Sequence, residues 1–429
     1  MRSKIFLLCL LAAGATLAAE PQIVTPLLRG PADVDAATMA YLKQLAPEAA
    51  ARSDAYFEGS YWLILWDALV GLLIALILLN TGLSARMRDF AERITRFKFL
   101  QTTIYAAEYF LAVTALSFPM TVYENFAREH KYGLSNQTFG QWMGDQGKAL
   151  LISLILGPIV VSLVYLVIRK LPRTWALWGS TVAIAFLIFA AAIAPVYIAP
   201  IFNTYKPLAE SPLKEKIVSL ARANGIPSHE VWEFDASKQT KRMSANVSGL
   251  FGTTRISMND NLMNRASPEE IQAVLGHEMG HYVLNHVYKG VLEFGLIILV
   301  MFYLMKSGLE SSLRRWGARW KVRDVADIAG LPAAFAIFGL LFFLATPLTN
   351  TVTRSSEAEA DMFGLNASRQ PDGFARAALH LSEYRKMRPG PLEEIIFFDH
   401  PSGWNRINRS MTWKAEHLND PDLAVPQNN

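Results

Sequence analysis

His277-Glu278-Met279-Gly280-His281 closes a segment that opens at Ser267-Pro268-Glu269-Glu270. The whole stretch predicts one helix. Ser267 is an N-cap, Pro268 suits the first helical position, and Glu269 and Glu270 favour the positive end of the helix dipole. Four residues advance a helix by about one turn, so His277 and His281 share a face and can grip one metal ion. Glu278, one step round, lies beside that ion, where it can take a proton from water that the ion activates. The pattern fixes only a few positions and recurs by chance in unrelated chains, so its surroundings must decide.

The chain has 429 residues, is 52% hydrophobic and carries a net charge of +4. It is too apolar for an ordinary soluble enzyme of this charge content. No basic run is interleaved with aromatics, which argues against a nucleic-acid partner. Residues 1–19 have a basic start at Arg2 and Lys4, an apolar stretch from Ile5 to Leu11, and a small-residue end at Thr16-Leu17-Ala18-Ala19. They read as a secretory signal, with an uncleaved anchor as the alternative. The single cysteine, Cys9, falls in this segment, so a processed chain has no disulfide or thiol chemistry.

Long apolar segments follow at 61–80, 101–121, 149–168, 176–198, 290–305 and 331–348, each near the length of a membrane span. The fifth carries Glu293, which a span beside a polar cavity tolerates best. Trp62, Trp66, Trp175 and Trp178 sit at span ends, as interfacial aromatics do. The chain therefore divides into a signal or anchor (1–19), an outer N-terminal segment (20–58), and four spans (59–202) with a polar loop at 122–148. A polar region (203–286), two spans (287–348), a second polar region (349–417) and a frayed tail (418–429) complete it.

Basic residues crowd three short loops. These are 81–98 (Arg86, Arg88, Arg93, Arg96, Lys98), 169–173 (Arg169, Lys170, Arg173) and 306–328 (Lys306, Arg314, Arg315, Arg319, Lys321, Arg323). Counting spans puts all three on one side, which the positive-inside rule makes cytoplasmic. The regions 203–286 and 349–429 then face outward, toward the periplasm or exterior of a bacterial cell. Within 203–286, Lys214 to Ala223 predicts an amphipathic helix and Val231 to Phe234 a strand. Met243 to Leu250 and Arg255 to Met258 predict further strands joined by a turn at Phe251-Gly252-Thr253. A substrate can add to the exposed edge of such a sheet as an extra strand.

Two histidines leave zinc short of a third protein ligand. His286 lies nine residues after His277, about half a helical rotation round, and is expected to face away as a packing or supporting group. Val287 stands where a third ligand histidine would lie in HExxHxxGxxH, which excludes that pattern. Glu357 and Asp361, four apart after the last span, share a helix face. Glu357 can bind the ion while Asp361 hydrogen-bonds a ligand histidine from behind. Glu359 points roughly opposite and is the less favoured candidate. Alone, this acidic run reads equally well as a solvated helix start; paired with HExxH across two spans, it reads as a ligand set.

The ordered set of motifs resembles the CaaX prenyl protease 1 family of membrane-embedded zinc metallopeptidases. It comprises His277 to His286, then Arg354, Glu357, Ala360 and Asp361, then His400-Pro401-Ser402 with Arg406. Upstream matches include Tyr123 to Phe126, Glu129 to Thr138, Ile198 to Asn203 and Asp235 to Lys238. The resemblance covers about residues 59–415 and implies a mainly α, multi-pass transmembrane helix bundle. Its helices ring a chamber onto which a zincin-like HExxH region with a small β-hairpin or sheet opens. It implies one Zn2+ per chain on His277, His281 and Glu357, with Glu278 as general base. Asp361 is implied behind a ligand, and His400 and Arg406 at the oxyanion or substrate. Ser244-Ala245-Asn246 stands where many members have Asn-Ala-Tyr in the substrate-binding strand, and Asn405 replaces a glutamate before the late arginine. An outward-facing site would not meet prenylated proteins made in the cytosol.

The function expected is hydrolysis of peptide bonds in membrane-associated or translocated proteins or peptides. The alternatives are a catalytically silent scaffold or chaperone and a zinc hydrolase of a non-peptide amide. A transporter fits less well, because the polar chemistry lies outside the spans and not at midplane. The substrate's identity and the oligomeric state leave no mark in the sequence.

Overall fold

The computed structural model describes residues 23–227, 230–248 and 254–420. The expected signal segment with Cys9, the turn at 251–253 and the tail beyond 420 lie outside those residues. Ahead of that boundary, Asp420 is paired with Arg369, so the start of the expected frayed tail is held.

Helices dominate. Helix α1 (Val34–Leu42) precedes α2 (Pro47–Asn80), α3 (Leu83–Ile94), α4 (Lys98–Val122), α5 (Phe139–Lys170) and α6 (Trp175–Ile193). Among the described residues, four helical stretches are long and apolar enough to cross a membrane: Pro47–Asn80, Phe139–Lys170, Trp175–Phe202 and His286–Trp320. A pair bent by 57°, Ile328–Leu344 and Thr346–Ser368, makes a fifth if taken as one broken span. The expected span at 101–121 does form α4, but Gln101, Thr102, Thr103 and Glu108 dilute its apolar face. Six expected spans thus become four or five by length and composition. Trp62, Trp66 and Trp178 are exposed as expected of interfacial rings, whereas Trp175 is buried. Its ring packs edge-on to Phe302, so it belongs to the bundle core.

At one end of the bundle the three basic loops meet. Arg88 pairs with Asp327 at 2.6 Å, Arg323 with Glu92 at 2.7 Å, and Lys306 donates to the Arg173 carbonyl at 2.9 Å. Arg169 donates to Thr102 Oγ1 at 2.9 Å. A core of Leu78, Met87, Tyr105, Tyr165, Trp175 and Phe302 lies against this end.

At the other end lies a small mixed sheet of β1 (Tyr205–Pro207), β2 (Val231–Phe234), β3 (Ala245–Ser248) and β4 (Arg255–Asn259), in the order β1-β2-β4-β3. Strands β2 and β4 run parallel, and β3 pairs antiparallel to β4 with Ala245 opposite Met258. Val231, Ile256 and Met258 are fully buried. They pack on Ile217 and Ala221 of α7 (Pro212–Ala223) and on Ile271, Leu275 and Met279 of α8 (Pro268–Val283). Strand β3 is one of the two edges of the sheet, and it lies along α8.

The chain then enters α9 (His286–Trp320), returns through α10 (Leu331–Leu344) and turns sharply into α11 (Thr346–Ser368). Pro347 in the first turn of α11 lacks an N–H and cannot continue the ladder of α10. Helices α12 (Pro371–His380), α13 (Pro391–Phe397) and α14 (Gly403–Glu416) close over α8 and α11, with α1 packed on α12 and α14.

Candidate metal centre

Helix α8 begins as its sequence requires. Ser267 Oγ accepts from the Glu270 amide at 3.3 Å, and the Glu270 carboxylate accepts from the Ser267 amide at 2.5 Å. This reciprocal cap fixes the first turn. Three turns on, His277 and His281 share a face, with their Nε2 atoms 3.2 Å apart.

Helix α11 brings Glu357 to the same point. Its carboxylate oxygens lie 3.2 Å from His277 Nε2 and 3.4 Å from His281 Nε2. One ligand atom from each of His277, His281 and Glu357 falls within 4.8 Å of the others. Glu357 Oε2 is buried and accepts no well-aligned hydrogen bond. Two imidazole nitrogens and a buried carboxylate with spare acceptor capacity fit a divalent ion such as Zn2+. Glu359 points away from this point, toward Lys289 at 2.7 Å.

The approach of α8 to α11 is close because small residues line both. A Cβ on Gly364 would lie 2.7 Å from the His277 nitrogen, and one on Gly280 would lie 3.2 Å from Ala360 Cα. The sequence reading missed these glycines; only the partner helix reveals their use.

Asp361 is fully buried behind His277, whose Nδ1 lies 2.9 Å from it. Donation from that Nδ1 leaves the Nε2 lone pair facing Glu357. Arg406 and Arg409 reach the same carboxylate at 2.5 and 2.9 Å. Arg406 therefore sits behind His277 with its guanidinium committed to Asp361, although it also borders the cavity described next. Arg409 went unnoticed in the sequence.

A cavity of about 270 Å³ opens beside the His277 ring. It is lined by Ala245 at the start of β3 and the preceding Ser244, and by Glu278, His400, Arg385, Phe374 and Leu381. Asn246 lies one residue further along β3, opposite Ser257, outside the cavity lining. Burial pushes the Glu278 carboxyl up to about 7, Glu357 adding to the push and His277 and Arg406 opposing it. His400 Nε2 lies 3.3 Å from Glu357, while its Nδ1 lies 2.8 Å from Asp399. Arg354 holds this segment in place by donating to the carbonyls of Glu394 and Phe398 at 2.9 and 2.6 Å. Asn405 donates to Glu394 at 2.8 Å and so joins the same clamp.

His286 does not face away. Helix α8 ends at Val283, and Asn285 adopts a left-handed conformation at φ 58° before α9 begins. The break swings His286 back, and its Nδ1 lies 2.9 Å from His281 Nδ1. The expectation assumed one continuous helix, which the Asn285 turn interrupts.

A membrane helix bundle that places an HExxH helix against a later glutamate is the architecture of a membrane metallopeptidase. Residues 36–204 match the family model described as CAAX prenyl protease N-terminal, five membrane helices, and residues 207–414 match peptidase family M48. The chain is 30% identical over 336 residues to an uncharacterized metalloprotease, YhfN, of Bacillus subtilis, covering 78% of this chain and 79% of that protein. It is 33% identical over 310 residues to CAAX prenyl protease 1 of Saccharomyces cerevisiae, covering 68% of each. The crystal structure of S. mikatae Ste24p shares the fold, with a TM-score of 0.71 over 86% of this chain and 89% of that one at 24% identity. The chain belongs to peptidase family M48, among the CaaX prenyl protease 1 relatives, and is a multi-pass membrane metallopeptidase.

Proposed function

We propose that this protein is a zinc endopeptidase that cleaves extended peptides on the outer face of a bacterial plasma membrane. The observation that carries the reading is the convergence of His277, His281 and Glu357 within 4.8 Å, beside the cavity that Glu278 lines. When bound there, the ion supplies the Lewis acidity that activates water and polarises a carbonyl. Glu278, held near neutrality by burial, accepts the proton of the attacking water and passes it to the leaving amine. His400, which lines the same cavity, donates from Nε2 to the developing oxyanion. Arg406 acts at one remove, holding Asp361 against His277.

The peptide lies along the edge of β3, in the register of Ser244, Ala245 and Asn246, where unpaired backbone groups accept a further strand. Outward orientation is supported by the basic loops meeting at the end of the bundle away from the site. That side holds translocated and membrane-associated proteins, and not the prenylated proteins made in the cytosol.

Glu278→Gln tests the mechanism. The variant should retain Zn2+ at wild-type stoichiometry and lose peptidase activity by at least 100-fold, the order expected when a general base is removed (about 10²–10⁴). Full turnover of a peptide substrate by this variant would sink the proposed chemistry.

A further inference from the structure

His281 is backed by an unbroken polar chain that runs to the protein surface. His281 Nδ1 lies 2.9 Å from His286 Nδ1, and His286 Nε2 lies 3.1 Å from Glu359 Oε2. The other Glu359 oxygen accepts from Lys289 Nζ at 2.7 Å. The His286 side chain is 5% exposed, so water does not substitute for its partners.

We infer that His286 and Glu359 are positioning residues that fix the tautomer of His281. This rests on the metal reading proposed above. His281 turns Nε2 toward His277 and Glu357, so its lone pair must be there and its proton on Nδ1. Among the described residues that proton's acceptor is the bare Nδ1 of His286. A bare Nδ1 requires the His286 proton on Nε2, where it is donated to Glu359. Lys289 holds the Glu359 carboxylate in place. All hydrogen bonds then run in one direction, from His281 out to Glu359. Reversing one bond reverses the next, and the last reversal would put a proton on His281 Nε2, where the ion binds.

The two ligand histidines are therefore backed differently. His277 leans directly on the buried carboxylate of Asp361, whereas His281 reaches a carboxylate only through a second imidazole. The chain exists because Asn285 breaks the helix between His281 and His286.

The test is Zn2+ affinity of the full-length protein in detergent, measured by competition with a fluorescent chelator, alongside thermal unfolding of the metal-free form. His286→Phe keeps the ring's bulk and removes the acceptor. It should weaken Zn2+ binding about 10–100-fold, as loss of an outer partner of a ligand histidine does. Glu359→Leu should weaken it about 10-fold, while Glu359→Gln, which keeps an acceptor oxygen, should change it less than about 3-fold. Metal-free unfolding of both Glu359 variants should stay at the wild-type temperature. Wild-type affinity in His286→Phe or in Glu359→Leu would overturn the inference. If His286→Phe does not fold, the Glu359 pair decides alone. A wild-type protein that bound no Zn2+ would instead overturn the metal reading itself.

Discussion

Asp361 accepts from His277, Arg406 and Arg409 and is wholly enclosed, so one carboxylate balances two guanidinium groups and orients a ligand. Burial makes this balance costly to disturb. Asp361→Asn keeps the shape and removes the charge, leaving the buried Arg406 without its counter-ion. Removing one partner of a buried pair costs about 3–5 kcal/mol. We expect Asp361→Asn to lose about that much stability in thermal or denaturant unfolding of the metal-free protein, and to weaken Zn2+ binding about 10–100-fold. Wild-type stability in this variant would mean that Arg406 and Arg409 find other partners and that Asp361 does not organise the site.

Between elements, the decisive contact is α8 against α11, because it brings ligands 76 or more residues apart in sequence to one point. Gly276, Gly280 and Gly364 let the two backbones meet. A methyl group at Gly364 would press on the backbone of His277 at 2.7 and 2.9 Å, where no side-chain rotation can relieve it. We expect Gly364→Ala to force the helices apart, costing about 1–3 kcal/mol as overpacking does, and to weaken Zn2+ binding with it. Gly339→Ala in α10, where an added Cβ meets nothing within 4 Å, is the control. Equal unfolding temperature and equal Zn2+ affinity in the two variants would remove the close approach as the cause. This contact also shows what was legible in sequence. The cap at Ser267, the i, i+4 histidines and the Glu357–Asp361 spacing are local, and local rules read them. The use of Gly364, the donation from Arg409 and the return of His286 depend on a neighbouring helix or on the Asn285 turn, and no periodicity carries that information. The span at 101–121 is legible as a helix, but Gln101, Thr102, Thr103 and Glu108 leave it less apolar than its length suggests.

At the scale of the whole molecule, α2 links the two ends. It has 34 residues, so at about 1.5 Å per residue it spans roughly 50 Å. In its first half, Tyr61 donates to Glu393 in the segment that leads to His400, and Tyr56 donates to Glu129. At its end, Asn80 accepts from Trp320 beside the basic loops. The stretch from Tyr61 to Asn80 rises roughly 29 Å, about the thickness of a hydrocarbon core, which supports the proposal that site and basic cluster lie on opposite sides of the membrane. In the proposed orientation the positive charge marks the cytoplasmic side and the site faces outward. Single cysteines test this, because the native chain has only Cys9. In a background with Cys9 replaced by serine, Lys216→Cys on α7 should react with a membrane-impermeant maleimide in intact spheroplasts. Arg314→Cys near the end of α9 should react only after the membrane is opened. Both positions are exposed, so access to the compartment alone decides the labelling. The reverse pattern would place the site in the cytoplasm and return proteins made there, prenylated ones included, to the field of substrates.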